Sequence, residues 1–281
     1  MTSTTAPTAA SQIGLTIVRA DRPAGLGATA LAVATRTVLK YMRTPQLLVM
    51  SLANGAIFVV LFRYVFGGAI DLGPVDYVDF LMPGFVLTWV LVAGIGTATA
   101  VAEDVDQGFF DRLRSMPVPR SALLAGRALG DMVILAWSIG VAIAMGFLVG
   151  FRLHGDLGEA LVALGLCLVC GFAFLWLFIT MGLVAGNAQS AQGMSMIVFP
   201  VIFVSSAYVP VDSLPGWMQT VAEHQPITVM SNAVRSLSLG DPAAAGVGHT
   251  TTYWVVVSLL WAAGIVVLFA PMAVARYRRS S

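Results

Sequence analysis

Ala102-Glu103-Asp104-Val105-Asp106-Gln107-Gly108-Phe109-Phe110-Asp111-Arg112-Leu113-Arg114-Ser115-Met116-Pro117-Val118-Pro119-Arg120 is the one densely charged stretch of an otherwise apolar chain. Apolar runs flank it, 80–101 before and 132–151 after. Charges are costly to bury without partners. A charged stretch between two such runs therefore faces water and meets something there. It reads as a loop joining two membrane helices, and every other assignment is measured from it.

The chain has 281 residues, of which 58% are hydrophobic and 10% charged. A soluble domain carries about 25% charged residues. Mean hydropathy is +0.87, and several runs approach the roughly 20 apolar residues that cross a hydrocarbon core as a helix. The runs are continuous and do not alternate, which argues against an outer-membrane barrel. The chain reads as an all-α polytopic membrane protein. Residues 1–23 read as a flexible cytoplasmic tail without the apolar core of a signal peptide. No strongly basic domain marks a nucleic-acid partner.

From 24 to 44 the pattern is helical, with Arg36, Lys40 and Arg43 on one face and Leu31, Ala34, Val38 and Met42 opposite. This predicts an amphipathic interfacial helix, its cations towards water and headgroups. A plain basic flank of the first span is the alternative. Six spans are expected within 45–275, near 45–66, 80–102, 132–151, 161–185, 194–209 and 253–275. The fifth is short and carries Pro200, which predicts a kink or break.

With the N-terminus inside, twelve of the fifteen Lys and Arg residues fall on inner segments, the exceptions being Arg63, Arg152 and Arg235. The positive-inside bias puts both termini, including the tail 276–281, and the charged stretch 103–120 in the cytoplasm. The outer segment 210–252 contains Pro210, Pro215, Trp217 and Pro226. Proline suits a first helical turn and tryptophan a headgroup layer. Two helix-like pieces there are too short to span. They are expected to be re-entrant or interfacial, with a simple folded loop as the alternative.

No catalytic constellation is visible. His154, His224 and His249 are scattered, and no Gly-x-x-x-x-Gly-Lys-Ser/Thr phosphate loop occurs. Cys167 and Cys170 sit inside an apolar run without other ligand types nearby, so they read as packing residues rather than a metal or redox site. The spans are almost free of charge, which disfavours an ion-coupled carrier or channel. Asp131 lies near the start of the third span, where Arg127 one turn earlier is placed to pair with it. Gly126/Gly130, Gly146/Gly150 and Gly182/Gly186 permit close helix approach.

The charged stretch itself places Glu103, Asp104 and Asp106 at the end of the second span. Carboxylates oppose the dipole at a helix C-terminus. Either the helix continues past them or cations meet them, Arg112, Arg114 and a partner chain being the available sources. Gly108 permits a turn. Residues 111–116 read as a short helix stopped before Pro117. The adjacent Phe109 and Phe110 suggest burial against a partner, and an ordinary solvated loop is the bland alternative.

The run Glu103-Asp104 through Gln107-Gly108-Phe109-Phe110-Asp111-Arg112-Leu113-Arg114-Ser115-Met116-Pro117 to Gly126-Arg127 resembles the signature of type-2 ABC exporter permeases, and within them the daunorubicin-resistance permease subgroup. Pro210, Leu214-Pro215-Gly216-Trp217, Gln225-Pro226-Ile227-Thr228 and Ala233-Val234-Arg235 extend the likeness over nearly the whole chain. Gln225 stands where the family commonly has an acidic-Asn-Pro theme, which bears on subgroup. The resemblance implies a six-span fold with an interfacial helix, a cytoplasmic coupling helix and re-entrant extracellular helices. It implies a half-transporter in the plasma membrane that pairs with a second permease, identical or paralogous, and two copies of a separate P-loop ATPase. ATP and Mg would be held on that partner, with no cofactor in this chain. By motif match, Glu103, Asp104, Gly108, Phe109, Asp111, Arg112 and Arg114 are the expected docking contacts. The function so implied is ATP-driven export of a hydrophobic or amphipathic cargo: a drug, secondary metabolite or complex lipid. The alternatives are a non-transporting assembly or sensor subunit of an ATPase complex, a lipid-acting membrane enzyme, and a proton-driven drug carrier.

Overall fold

The computed structural model describes residues 26–68, 75–109, 120–240 and 248–279. Ten α-helices are present among them, and no strand. They are α1 (Leu26–Met42), α2 (Pro45–Leu61), α3 (Tyr77–Asp106), α4 (Arg120–Val149), α5 (Leu157–Ala185), α6 (Ala188–Ser195), α7 (Val198–Phe203), α8 (Gly216–His224), α9 (Pro226–Leu239) and α10 (Thr251–Arg279). By length and composition, α3, α5 and the stretches Leu123–Val149 of α4 and Thr251–Tyr277 of α10 are able to cross a membrane. The other two expected spans correspond to shorter apolar pieces, Leu52–Phe66 and Ala188–Phe203.

A capping box formed by Asp156 and Glu159 starts α5, with Glu159 N–H donating to Asp156 Oδ1 at 2.6 Å. The segment around 194–209 breaks as Pro200 predicts. Proline has no N–H to offer the carbonyl four residues earlier, and the helix stops at Ser195, one residue before Met196, resuming as α7. α2 continues into a π-helical turn, Phe62–Phe66, that stacks Phe62 on Phe66 at 5.0 Å and on Tyr208 at 4.5 Å.

α3 and α5 form the middle of the bundle. Phe178 fills the space at Gly94, Leu135 and Val90 fill that at Gly171, and Ala98 with Val101 closes on Gly182. These contacts advance the same way along both helices, so α3 and α5 run parallel. α4 runs antiparallel to α3, with Arg127 beside Asp104 at one end and Gly146 beside Met82 towards the other. Cys167 and Cys170 are buried free thiols of α5. α4 and α10 lie on the outside and expose Val133, Trp137, Leu148, Leu260 and Val267, the apolar surface that hydrocarbon would cover.

α1 lies along the first turns of α4. A Cβ at Gly126 would come within 2.5 Å of Ala30 O, and one at Gly130 within 2.7 Å of Thr37 Cβ. The small-residue pair read from sequence thus brings α1 against α4, burying Thr29, Ala30, Ala34 and Thr37.

Candidate functional site

The end of α3 that leads into the charged loop is a cross-braced ionic junction. α3 stays helical to Asp106, then turns at Gln107 and Gly108, whose φ of +62° suits glycine. Asp104 is buried, and its two carboxylate oxygens accept from different helices. Arg36 Nη2 of α1 donates to Oδ1 at 3.2 Å, and Arg127 Nη1 of α4 donates to Oδ2 at 3.0 Å. Arg127 also donates through Nε to Asp131 Oδ2 at 2.8 Å, one helical turn on. A chain of alternating charge, Arg36–Asp104–Arg127–Asp131, therefore crosses three helices. Lys40 and Glu103 add an exposed pair at 3.2 Å. The Arg36 guanidinium lies 3.8 Å from the Phe109 ring centre, a cation–π arrangement.

The junction answers the question left by the sequence. Glu103 and Asp104 meet cations, and among the described residues these are Arg36, Lys40 and Arg127. The cations of α1 turn to these carboxylates, not to water alone. The Arg127–Asp131 pair was legible from its spacing; the contacts of Asp104, 68 and 23 residues away, were not. Of the expected docking residues, Glu103 is half-buried, Asp104 is buried, and Gly108 and Phe109 are half-buried at the loop's start. Asp111, Arg112 and Arg114, with the predicted short helix at 111–116, lie outside the described residues, as do the tail 1–23 and much of the first outer loop.

At the opposite end of the bundle a second network holds the 205–240 segment. Pro210 precedes a 3₁₀ turn (Val211–Ser213), Pro215 is the N-cap of α8, and Pro226 is the first residue of α9. Gln219 Nε2 donates to Leu214 O at 2.9 Å and closes the 3₁₀ turn onto α8. Trp217 is 79% exposed on α8. α9 is buried along thirteen of its fourteen residues, so it is a core helix and not a loop. Its Arg235, counted in sequence only as an outer-side charge, is fully buried. Nε donates to Phe80 O at 3.0 Å, Nη1 to Asn232 Oδ1 at 2.8 Å and Nη2 to Ser206 O at 2.7 Å. The guanidinium also lies 3.7 Å from the Phe80 ring centre. A guanidinium is not deprotonated in proteins, so the group is cationic at neutral pH.

No carboxylate among the described residues pairs with Arg235. Asp79, beside Phe80 in sequence, turns instead to the α4–α5 connection, accepting from Arg152 N–H at 3.0 Å and facing His154 Nδ1 at 3.8 Å. Tyr77 Oη donates to Tyr208 O at 3.0 Å, and Tyr208 Oη lies 2.6 Å from Thr88 Oγ1. Gly84 packs so tightly on Ala207 that no Cβ fits. His154, His224 and His249 do not come together, and no group of three or more metal-ligating side chains occurs among the described residues.

The family described as ABC-2 type transporter matches residues 29–239. A daunorubicin resistance ABC transporter permease protein, DrrB1 of Streptomyces coeruleorubidus, is 32% identical over 248 residues, 88% of this chain and 84% of its own length. A probable doxorubicin resistance ABC transporter permease protein, DrrC of Mycobacterium tuberculosis, is 30% identical across 81% of this chain and 82% of its own. Nodulation protein J of Rhizobium meliloti is 28% identical across 64% and 71%.

Proposed function

The chain belongs to the ABC-2 type transporter family, and from that premise we propose that it is the transmembrane permease subunit of an ATP-driven exporter. Its cargo is a hydrophobic or amphipathic molecule: a drug, a secondary metabolite or a complex lipid. A second permease, identical or paralogous, completes the pathway, and two copies of a separate ATPase hold ATP and Mg. In this reading α2 and α6–α7 complete six spans, both termini are cytoplasmic, α1 lies at the inner interface, and α8 and α9 are re-entrant from the outer side.

The observation that carries the reading is the junction behind the charged loop. The roots of the loop, at Asp104 and Arg127, are bonded to each other at 3.0 Å. A loop whose roots are joined transmits a push as a unit instead of absorbing it by splaying. We place ATPase docking on Glu103, Gly108, Phe109, Asp111, Arg112 and Arg114. Asp104 belongs to the same set as a positioning residue, acting through Arg36 and Arg127. A docked ATPase that closes on nucleotide would press this loop, and α3 and α4 would carry the displacement along the bundle.

The decisive experiment is gentle affinity purification of the chain from its own membranes. A P-loop ATPase is expected to co-purify, to hydrolyse ATP in the complex, and to be lost with Arg112→Glu. A preparation free of ATPase that still supports export driven by a proton gradient would overturn the assignment. A stable ATPase complex whose cargo flux is independent of this chain would make it an assembly or sensor subunit. Orientation is tested by cysteine labelling in intact cells. Ser213→Cys is expected to react with an impermeant reagent and Ser115→Cys only after permeabilisation; the reverse would invert the topology.

A further inference from the structure

Arg235 is a buried charge that meets no countercharge among the described residues. The arginine at the other end, Arg127, sits between two carboxylates. Arg235 has only two carbonyls, one side-chain amide oxygen and a phenyl ring. Three of its five N–H groups are engaged by the hydrogen bonds described. Dipoles orient around a charge and lower its self-energy, but they leave its net field in place. In a low-dielectric surrounding that field extends well beyond contact distance.

The field falls on an open apolar crease. Asn54 and Phe58 of α2, Trp89 of α3, Phe199 and Phe203 of α7, and Tyr208 line a small recess of about 50 Å³ that opens to its surroundings. The recess shares one wall with the Arg235 cluster: the turn that carries Ser206, which accepts from Arg235 Nη2, also carries Tyr208. Asn54 is exposed on α2, between the exposed apolar side chains of Leu52 and Ile57. It makes no hydrogen bond among the described residues, so its amide is free for a polar group. Aromatic walls, one free amide and one positive field describe a site for a molecule with an apolar body and an anionic head.

We propose that this crease binds amphipathic anions, phosphate-, sulfonate- or carboxylate-bearing, and discriminates against amphipathic cations of the same shape through the uncompensated charge of Arg235. A unit charge at roughly 10 Å, through an effective dielectric of about 20, is worth about tenfold in affinity, and the sign reverses for a cation. The inference takes the permease reading as its setting. Its test needs no ATPase, so its failure leaves that reading standing, and loss of the reading leaves the binding result intact.

The test uses the full chain in phosphatidylcholine vesicles with Trp89 as its single tryptophan. Two nitroxide-labelled amphiphiles of identical chain, an alkyl sulfonate and an alkyltrimethylammonium, are compared as quenchers of Trp89, each corrected for its partition into protein-free vesicles. The sulfonate is expected to reach half-maximal quenching at a tenfold or greater lower membrane concentration. Asn232→Asp supplies the missing carboxylate next to Arg235 Nη1 with little change of shape, and is expected to abolish the preference. Arg235→Lys keeps the charge and is expected to keep it. Equal quenching by the two probes, a preference for the cation, no saturable quenching by either, or a preference unchanged in Asn232→Asp would each overturn the proposal.

Discussion

Arg127 and Arg235 are both buried cations in a greasy bundle, yet they are balanced in opposite ways. Arg127 is neutralised by Asp104 and Asp131, and Asp104 in turn by Arg36. Every charge there is answered by another, drawn from three helices. Arg235 is held by oriented dipoles and a ring, all from α3, α9 and the turn at Ser206. A charge answered by charge locks the elements that supply the partners. A charge answered by dipoles fixes local geometry but still projects a field. The first arrangement suits a place that must transmit force, and the second a place that must sense what passes nearby.

The same substitution at the two sites should separate them most sharply. Arg127→Met strands the buried carboxylate of Asp131 and leaves Asp104 with Arg36 alone, and is expected to cost about 3–5 kcal/mol, read as a large fall in the thermal midpoint of the detergent-solubilised protein. Arg235→Met strands no charge. It leaves three acceptors short of one donor each, at about 1–3 kcal/mol in all, since removing the buried charge also removes its desolvation cost. Equal losses at the two sites would erase the distinction. Gly130→Val tests whether the junction depends on α1 resting against α4. The added side chain meets Thr37 and is expected to cost about 1–3 kcal/mol, with cysteines on α1 becoming faster to label. The smallest effect is expected from Lys40→Ala. Both partners of that pair are about half exposed, so its loss should stay below about 1 kcal/mol and vanish at high salt. A larger, salt-independent effect would mean that the exposed pair, and not Asp104, braces the junction.

The legible parts of this molecule were those with a local signature. Four long apolar helices, the break before Pro200, the Arg127–Asp131 pair and the glycine pair at 126/130 depend on residues within a turn or two of each other. The partners of Asp104 do not. Arg36 is separated from it by an entire helix and a loop, and no periodicity indicates that α1 turns its cations inward. Arg235 was hidden for a different reason. Counting Lys and Arg by segment presumes that a charge outside a span meets water, whereas α9 is too short to span and is nonetheless enclosed by α3, α5 and α10. Its composition, with four serines and threonines among fourteen residues, resembles a surface helix, and only tertiary packing reveals that it is enclosed, with Ser236 and Ser238 donating back to Ala233 O and Val234 O of their own helix. The docking residues 111–114 rest on the motif alone.

The π-helical turn at Phe62–Phe66 has a consequence for how this helix reads as a rotor. A π turn amounts to one residue inserted into an α-helix, and one residue is about 100° of helical phase. The insertion lets Phe62 and Phe66 stay stacked on one side while Tyr64 and Val65 point outward. It also aims Arg63 at the last carbonyl of α4, Val149. Removing a single residue from this turn would leave composition, hydropathy and length almost unchanged, yet it would rotate everything beyond the deletion by more than a quarter turn. The sequence of this segment is thus tolerant in chemistry and strict in count.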